Sequence, residues 1–140
     1  MINQLLMIFK IYSLFTLLSF FGNTDNKTYI KHYHSNGKLK EEGWVINDKK
    51  TDYWFYYYEN GLKKEEGHYK NNQRTAWWIH YDKKQSITKK CEYKDDKIHG
   101  LVIVYSKGDI SKAEKYNNGL KLKTWTDIKE FRKDNNHLFY

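Results

Sequence analysis

The side chains best suited to chemistry are six histidines (His32, His34, His68, His80, His99 and His137) and one cysteine, Cys91. His32 and His34 lie two apart, so on a strand both project from one face and could hold a metal ion. The residues 24 positions later are Tyr56 and Tyr58, so the pair reads as surface histidines in an aromatic row. Cys91 beside a histidine would make a nucleophilic pair, but it stands where Gly43 and Gly67 stand in earlier copies of the same phrase. Glu41-Glu42 and Glu65-Glu66 repeat one environment, whereas catalytic carboxylates need unlike environments that separate their pKa values. Cross-strand pairing with lysine accounts for them. The sequence holds no glycine-rich phosphate loop, zinc-ligand spacing or Gly-x-Ser-x-Gly elbow. No catalytic residue, metal ligand or cofactor site is expected, and the chain does not read as an enzyme.

Stacking is the other chemistry on offer. The 140 residues include 13 Tyr, 7 Phe and 5 Trp, far more than a disordered chain carries. Trp54, Tyr56 and Tyr58 alternate, and Trp78 and His80 come 24 residues later, so they form one candidate binding face. A protein surface or a sugar ring would suit it.

These residues are placed by a repeat. Glu59–Asn71, ENGLKKEEGHYKN, nearly restates Ser35–Asn47, SNGKLKEEGWVIN, and the offset of 24 aligns Tyr29 with Tyr53, Tyr33 with Tyr57, Gly37 with Gly61 and Gly43 with Gly67. A third copy keeps Tyr81 and Tyr93, and a fourth, from Leu101, keeps Tyr105 and Tyr116. Stacked supersecondary units give such a period. Asn36-Gly37 and Asn60-Gly61 each suit a type I′ hairpin turn, with Lys107-Gly108 or Gly108-Asp109 as the fourth counterpart. NDKK, NNQR, DDKI and NNGL are turn-formers between units. The expected fold is all-β, an elongated antiparallel meander of repeated hairpins in units at about 29–52, 53–76, 77–100 and 101–124. A remnant, 125–140, ends as a strand or a capping helix. No proline interrupts pairing.

Period two puts Tyr29 and Tyr33, then Tyr53, Phe55 and Tyr57, then Trp77, Ile79 and Tyr81, then Leu101, Ile103 and Tyr105 on one face, read as the core side. The face of Trp54 and Trp78 is then either covered by the chain's ends or a binding surface. Gly43, Gly67 and Cys91 mark a position that demands small volume, with a Tyr or Trp ring of the neighbouring strand lying over it.

The first 22 residues differ from the rest. Lys10 precedes the uncharged run Ile11–Phe21, and polar residues come after it. Eleven helical residues reach about 16 Å, short of a ~30 Å hydrocarbon core, so this hydrophobic helix reads as a secretory signal peptide. An uncleaved N-terminal anchor and a segment packed on the domain are the alternatives. The domain, 23–140, is then exported to the periplasm, cell envelope or medium. One cysteine allows no internal disulfide. The net charge of +8 comes from lysines spread along the chain, which fits a solvated face or attraction to an anionic membrane surface, but not specific nucleic-acid readout.

The phrase YYENGLKKEEGHYKNNQRTAWW, with KIHG at Lys97–Gly100, resembles the variant MORN repeats, whose units run Tyr-Tyr-x-Asn-Gly, Leu or Lys, Glu-Glu-Gly, Tyr-Lys-Asn-Gly-Lys, Gly, Trp. The likeness spans Tyr29 to about Trp125. It implies a curved antiparallel sheet used for protein contacts or lipid association, without catalysis. Many such bacterial proteins carry an antitoxin label, a cytosolic role at odds with an export signal. Asn72 and Ala76 stand where that family often has glycine, and Gln85 replaces a turn glycine. Cell-wall-binding repeats show similar Gly-Trp and Trp-Tyr-Tyr patterns. The expected function is a non-catalytic interaction scaffold with a protein partner, and the alternatives are a glycan-binding module or an antitoxin-like protein.

Overall fold

The computed structural model describes residues 26–136; the expected signal or anchor helix of residues 1–22 and His137 lie outside the described residues. Nine strands run in chain order: β1 (Lys27–Tyr33), β2 (Leu39–Ile46), β3 (Lys49–Tyr57), β4 (Lys63–Lys70), β5 (Gln73–Tyr81), β6 (Ile87–Lys94), β7 (Lys97–Ser106), β8 (Asp109–Asn117) and β9 (Leu120–Trp125). Each pairs antiparallel with the next, so one nine-stranded sheet is an unbroken meander. β9 ends at Trp125, the residue at which the remnant was expected to begin. The chain then enters a helix, α1 (Ile128–Asp134), started by Asp127, whose carboxylate accepts from the Lys129 and Glu130 amides at 2.6 and 3.0 Å. Among the described residues no helix is long and apolar enough to cross a membrane.

Two kinds of reversal alternate. Between units, Asn47-Asp48, Asn71-Asn72, Asp95-Asp96 and Asn118-Gly119 have positive φ at both residues, the signature of a type I′ turn, and Lys107-Gly108 shares it within the fourth hairpin. The Asn-Gly reversals differ from the expected type I′ form. Only Gly37 and Gly61 are left-handed, at φ +79° and +89°, and the Gly37 amide bonds back to the His34 carbonyl at 2.9 Å while the Asn36 side chain accepts from Lys38 N. Asn36 and Asn60 thus serve as side-chain acceptors, and Gln85 (φ +66°) takes the glycine's place in the third copy. Successive turns are also stitched together. The Asn72 side chain accepts from Lys50 N at 2.5 Å and its amide donates to Lys50 O, and Asp96 makes the same pair of bonds to Arg74.

The core is a row of side chains crossing the sheet. The register aligns Ile30, Gly43, Trp54, Gly67, Trp78, Cys91, Val102 and Glu114 on successive strands β1 to β8. Trp54, Trp78 and Cys91 are fully buried. This row lies on the face opposite the one expected to be the core side, where Tyr29, Tyr33 and Trp77 are 38%, 59% and 41% exposed. The reason is local volume. A methyl group on Gly43 or Gly67 would come within 2.4 Å of the Trp54 or Trp78 ring, so the missing Cβ lets each indole lie flat on the adjacent strand. Where Cys91 replaces glycine, the facing residue shrinks to Val102. The indole N–H of Trp54 donates to Trp44 O at 2.9 Å, and that of Trp78 to His68 O at 3.1 Å, so neither polar group is stranded. Among the described residues the opposite face is covered only near its end, where Phe131 of α1 meets Trp125 edge-on at 5.3 Å.

The first two unit junctions carry a bulge that leaves two residues of the odd strand without partners on the even one, as Asp52 and Tyr53 lie between the Gly43–Trp54 and Trp44–Thr51 pairs, and at the third His99, Gly100 and Leu101 lie opposite Glu92 alone. Asp52, Ala76 and Gly100, spaced by 24, all have positive φ there, at 55°, 55° and 104°. A left-handed alanine costs about 1–2 kcal/mol, so Ala76→Gly is expected to raise unfolding stability by about 1 kcal/mol after its gain in unfolded-state entropy is subtracted. Urea unfolding measures it.

Candidate functional site

The glycine face was expected to present Trp54, Tyr56, Tyr58, Trp78 and His80 as a binding surface. Its two tryptophans are instead closed from below by glycine and from above by cations of the same chain. Lys50 Nζ sits 4.0 Å from the Trp54 ring centre, 4.9 Å from Tyr56 and 5.6 Å from Tyr69. It donates to Glu41 Oε2 at 2.8 Å and Tyr56 Oη at 2.9 Å. One unit later the Arg74 guanidinium lies 4.1 Å from Trp78 and 5.6 Å from Tyr93, and forks onto Glu65 with bonds of 2.8 and 3.3 Å. The aromatic cage that would otherwise attract a ligand cation is filled from within. Trp54 and Trp78 have no ring face open to a sugar, and Tyr58 spends its hydroxyl on Tyr81 O at 2.8 Å.

The paired glutamates divide their work between the faces. Glu41 and Glu65 serve the glycine face, where His32 Nδ1 meets Glu41 at 2.8 Å and His80 Nδ1 meets Glu65 at 3.1 Å. Glu42 and Glu66 serve the other, accepting the phenols of Tyr57 and Tyr81 at 2.7 and 2.5 Å and pairing with Lys31 and Lys63. Burial, followed by the neighbouring carboxylates, pushes both phenols above their ordinary range. Burial also pushes the Glu65 carboxyl up, but the hydrogen bond from His80 and the charge of Arg74 outweigh it and hold the group at about 2.

The remaining candidates are likewise engaged. His34 Nε2 bonds the Tyr57 carbonyl at 3.0 Å, so His32 and His34 face different partners rather than one shared ion. Among the described residues, no group of three or more His, Cys, Asp or Glu side chains is placed to hold a metal. Cys91 is buried, and desolvation pushes its thiol up to about 11, which suppresses the thiolate a nucleophile needs. His80 Nε2 is buried and has no hydrogen-bond partner among the described residues.

The exposed aromatic surface is on the opposite face. Tyr29 and Trp44 meet edge-on at 5.0 Å, with Lys27 Nζ 5.0 Å above the indole, and Trp77 continues the surface two strand pairs further on. Trp44 is 37% exposed. Sequence reasoning put Tyr29 and Trp77 in the core and did not single out Trp44. The signal that could have found them is the alignment of Gly43 and Gly67 with Trp54 and Trp78, which fixes the buried face.

Compared with known proteins, the chain matches no family model and no curated protein.

The depressed Glu65 pKa gives stability a defined acid limb. The folded value of about 2 lies below the ordinary 4.5, so the contribution is complete above about pH 4.5 and is lost as pH falls through 2. Glu65→Gln is expected to be less stable at pH 7 and to lose less stability between pH 5 and pH 2 than the parent, as read by urea unfolding across pH.

Proposed function

We propose that this protein is a non-catalytic repeat scaffold built on the variant MORN pattern, exported by its N-terminal segment, and that it binds a protein partner. The observation that carries this reading is the exposed surface of Tyr29, Trp44 and Trp77, edged by Lys27 and Lys31, on a sheet whose other tryptophans are sealed. Aromatic side chains that remain open, rigid and flanked by polar groups are the anchors that protein interfaces use. A glycan platform built from Trp54 and Trp78 has less support, because both rings are already sandwiched between glycine and a cation.

The test is affinity capture from the envelope fraction. Trp44→Ser and Trp77→Ser are expected to cut retention of a stoichiometric partner at least tenfold each, about 1.4 kcal/mol or more, with the circular dichroism spectrum unchanged. Equal retention by both variants contradicts the proposed face. Saturable binding on a glycan array would favour the sugar-binding alternative.

A further inference from the structure

We propose that the outer edge of β1 takes up an extended acidic strand from a partner protein as a further strand of the sheet; this rests on the scaffold reading and names the partner's chemistry. Among the described residues β1 pairs with β2 alone, so one row of its amide and carbonyl groups is open. The repeat shows what belongs there. Two odd strands reach back to the even strand before them: Tyr57 of β3 gives its phenol to Glu42 of β2, and Tyr81 of β5 gives its own to Glu66 of β4, whereas Tyr105 of β7 meets Lys90. Tyr33 holds the same position in β1, 24 residues before Tyr57, yet it is 59% exposed and its hydroxyl meets no acceptor among the described residues. At the other end of β1, on the glycine face opposite the Tyr33 ring, Thr28, Ile30 and Val45 line a groove of about 340 Å³ bounded by Asn26, Asn47 and Asp48. Ile30 stands there in place of the tryptophan, as Val102 does opposite Cys91, so the added strand needs a small side chain facing it.

Charge selects the occupant. β1 reads KTYIKHY and β9, the other edge, reads LKLKTW, and neither holds an acidic residue. Two copies meeting edge to edge would oppose lysine to lysine. Both outer strands are also odd, so neither edge offers the Glu-Glu strand that Tyr33 lacks. An acidic strand satisfies both demands.

The probe is a labelled, end-blocked peptide of the chain's own β2, LKEEGWVI, titrated against the full chain by fluorescence anisotropy. Saturable one-to-one binding is expected, weakened about tenfold by Tyr33→Phe through loss of the phenol–carboxylate bond and abolished when both peptide glutamates are lysine. Failure to saturate overturns the proposal, as does equal binding of the lysine peptide. Tyr33-dependent self-association in sedimentation would make a second copy the occupant and also overturn it. Partner capture that depends on Trp44 and Trp77 but is not competed by the peptide refutes the edge while leaving the scaffold reading intact.

Discussion

Among the described residues the sheet is one layer thick over most of its width, so no second layer shields its side chains and burial has to be found within the layer itself. The protein finds it by removing a Cβ. With glycine at 43 and 67, an indole from the next strand lies down on the backbone instead of standing into solvent. Each buried tryptophan removes roughly 150–250 Å² from water, about 4–6 kcal/mol of gross transfer energy. The cation above each ring adds only about 0.5–2 kcal/mol. Lys50 and Arg74 are therefore lids on a contact that glycine makes possible, and Glu41 and Glu65 hold the lids in place.

The junction of the third and fourth units shows that these residues act as a set. Where the junction of the second and third units has Glu65, Gly67, Arg74 and Trp78, this one has Lys89, Cys91, Ile98 and Val102. The ring, the cation that covers it and the glutamate that holds the cation are lost together, and the space below is refilled by a thiol facing an isopropyl group. A lysine at 89 has no reason to be a glutamate once no buried cation needs neutralising. In the fourth copy Glu114 enters the row itself and is paired with Lys112 and Lys121, while the hydrophobic load passes to the other face and to α1 through Trp125.

Much of this was legible in the sequence. The 24-residue spacing set the strand lengths, the chain-order pairing and the reversals, because hairpins joined by short turns leave little other topology. What period two could not decide was which face is buried. Tyr29, Phe55 and Trp77 are as apolar as Trp54, Tyr56 and Trp78, so hydrophobicity along one strand is symmetric, and the asymmetry lies in the neighbouring strand's glycine. For the same reason the expected binding face was placed on Trp54 and Trp78, which are buried, and not on the face where Trp44 and Trp77 stay partly exposed. The turn chemistry failed differently: Asn-Gly was read as two left-handed residues, whereas Asn36 spends its side chain on Lys38 N and only Gly37 turns left. The helix after Trp125 is marked by Asp127 and Glu130, a cap whose signal is short beside the strand pattern preceding it.

The sheet separates the aromatics it buries from those it leaves exposed, and the distinction can be seen one indole at a time. Hydrogen exchange of the tryptophan side-chain N–H groups, monitored by NMR, tests it most directly. Slow exchange is expected at Trp54 and Trp78, which donate to backbone carbonyls under their cations, and fast exchange at Trp44 and Trp77. Rapid exchange at Trp54 and Trp78 together with protection at Trp44 and Trp77 would place the core on the other face and contradict the account.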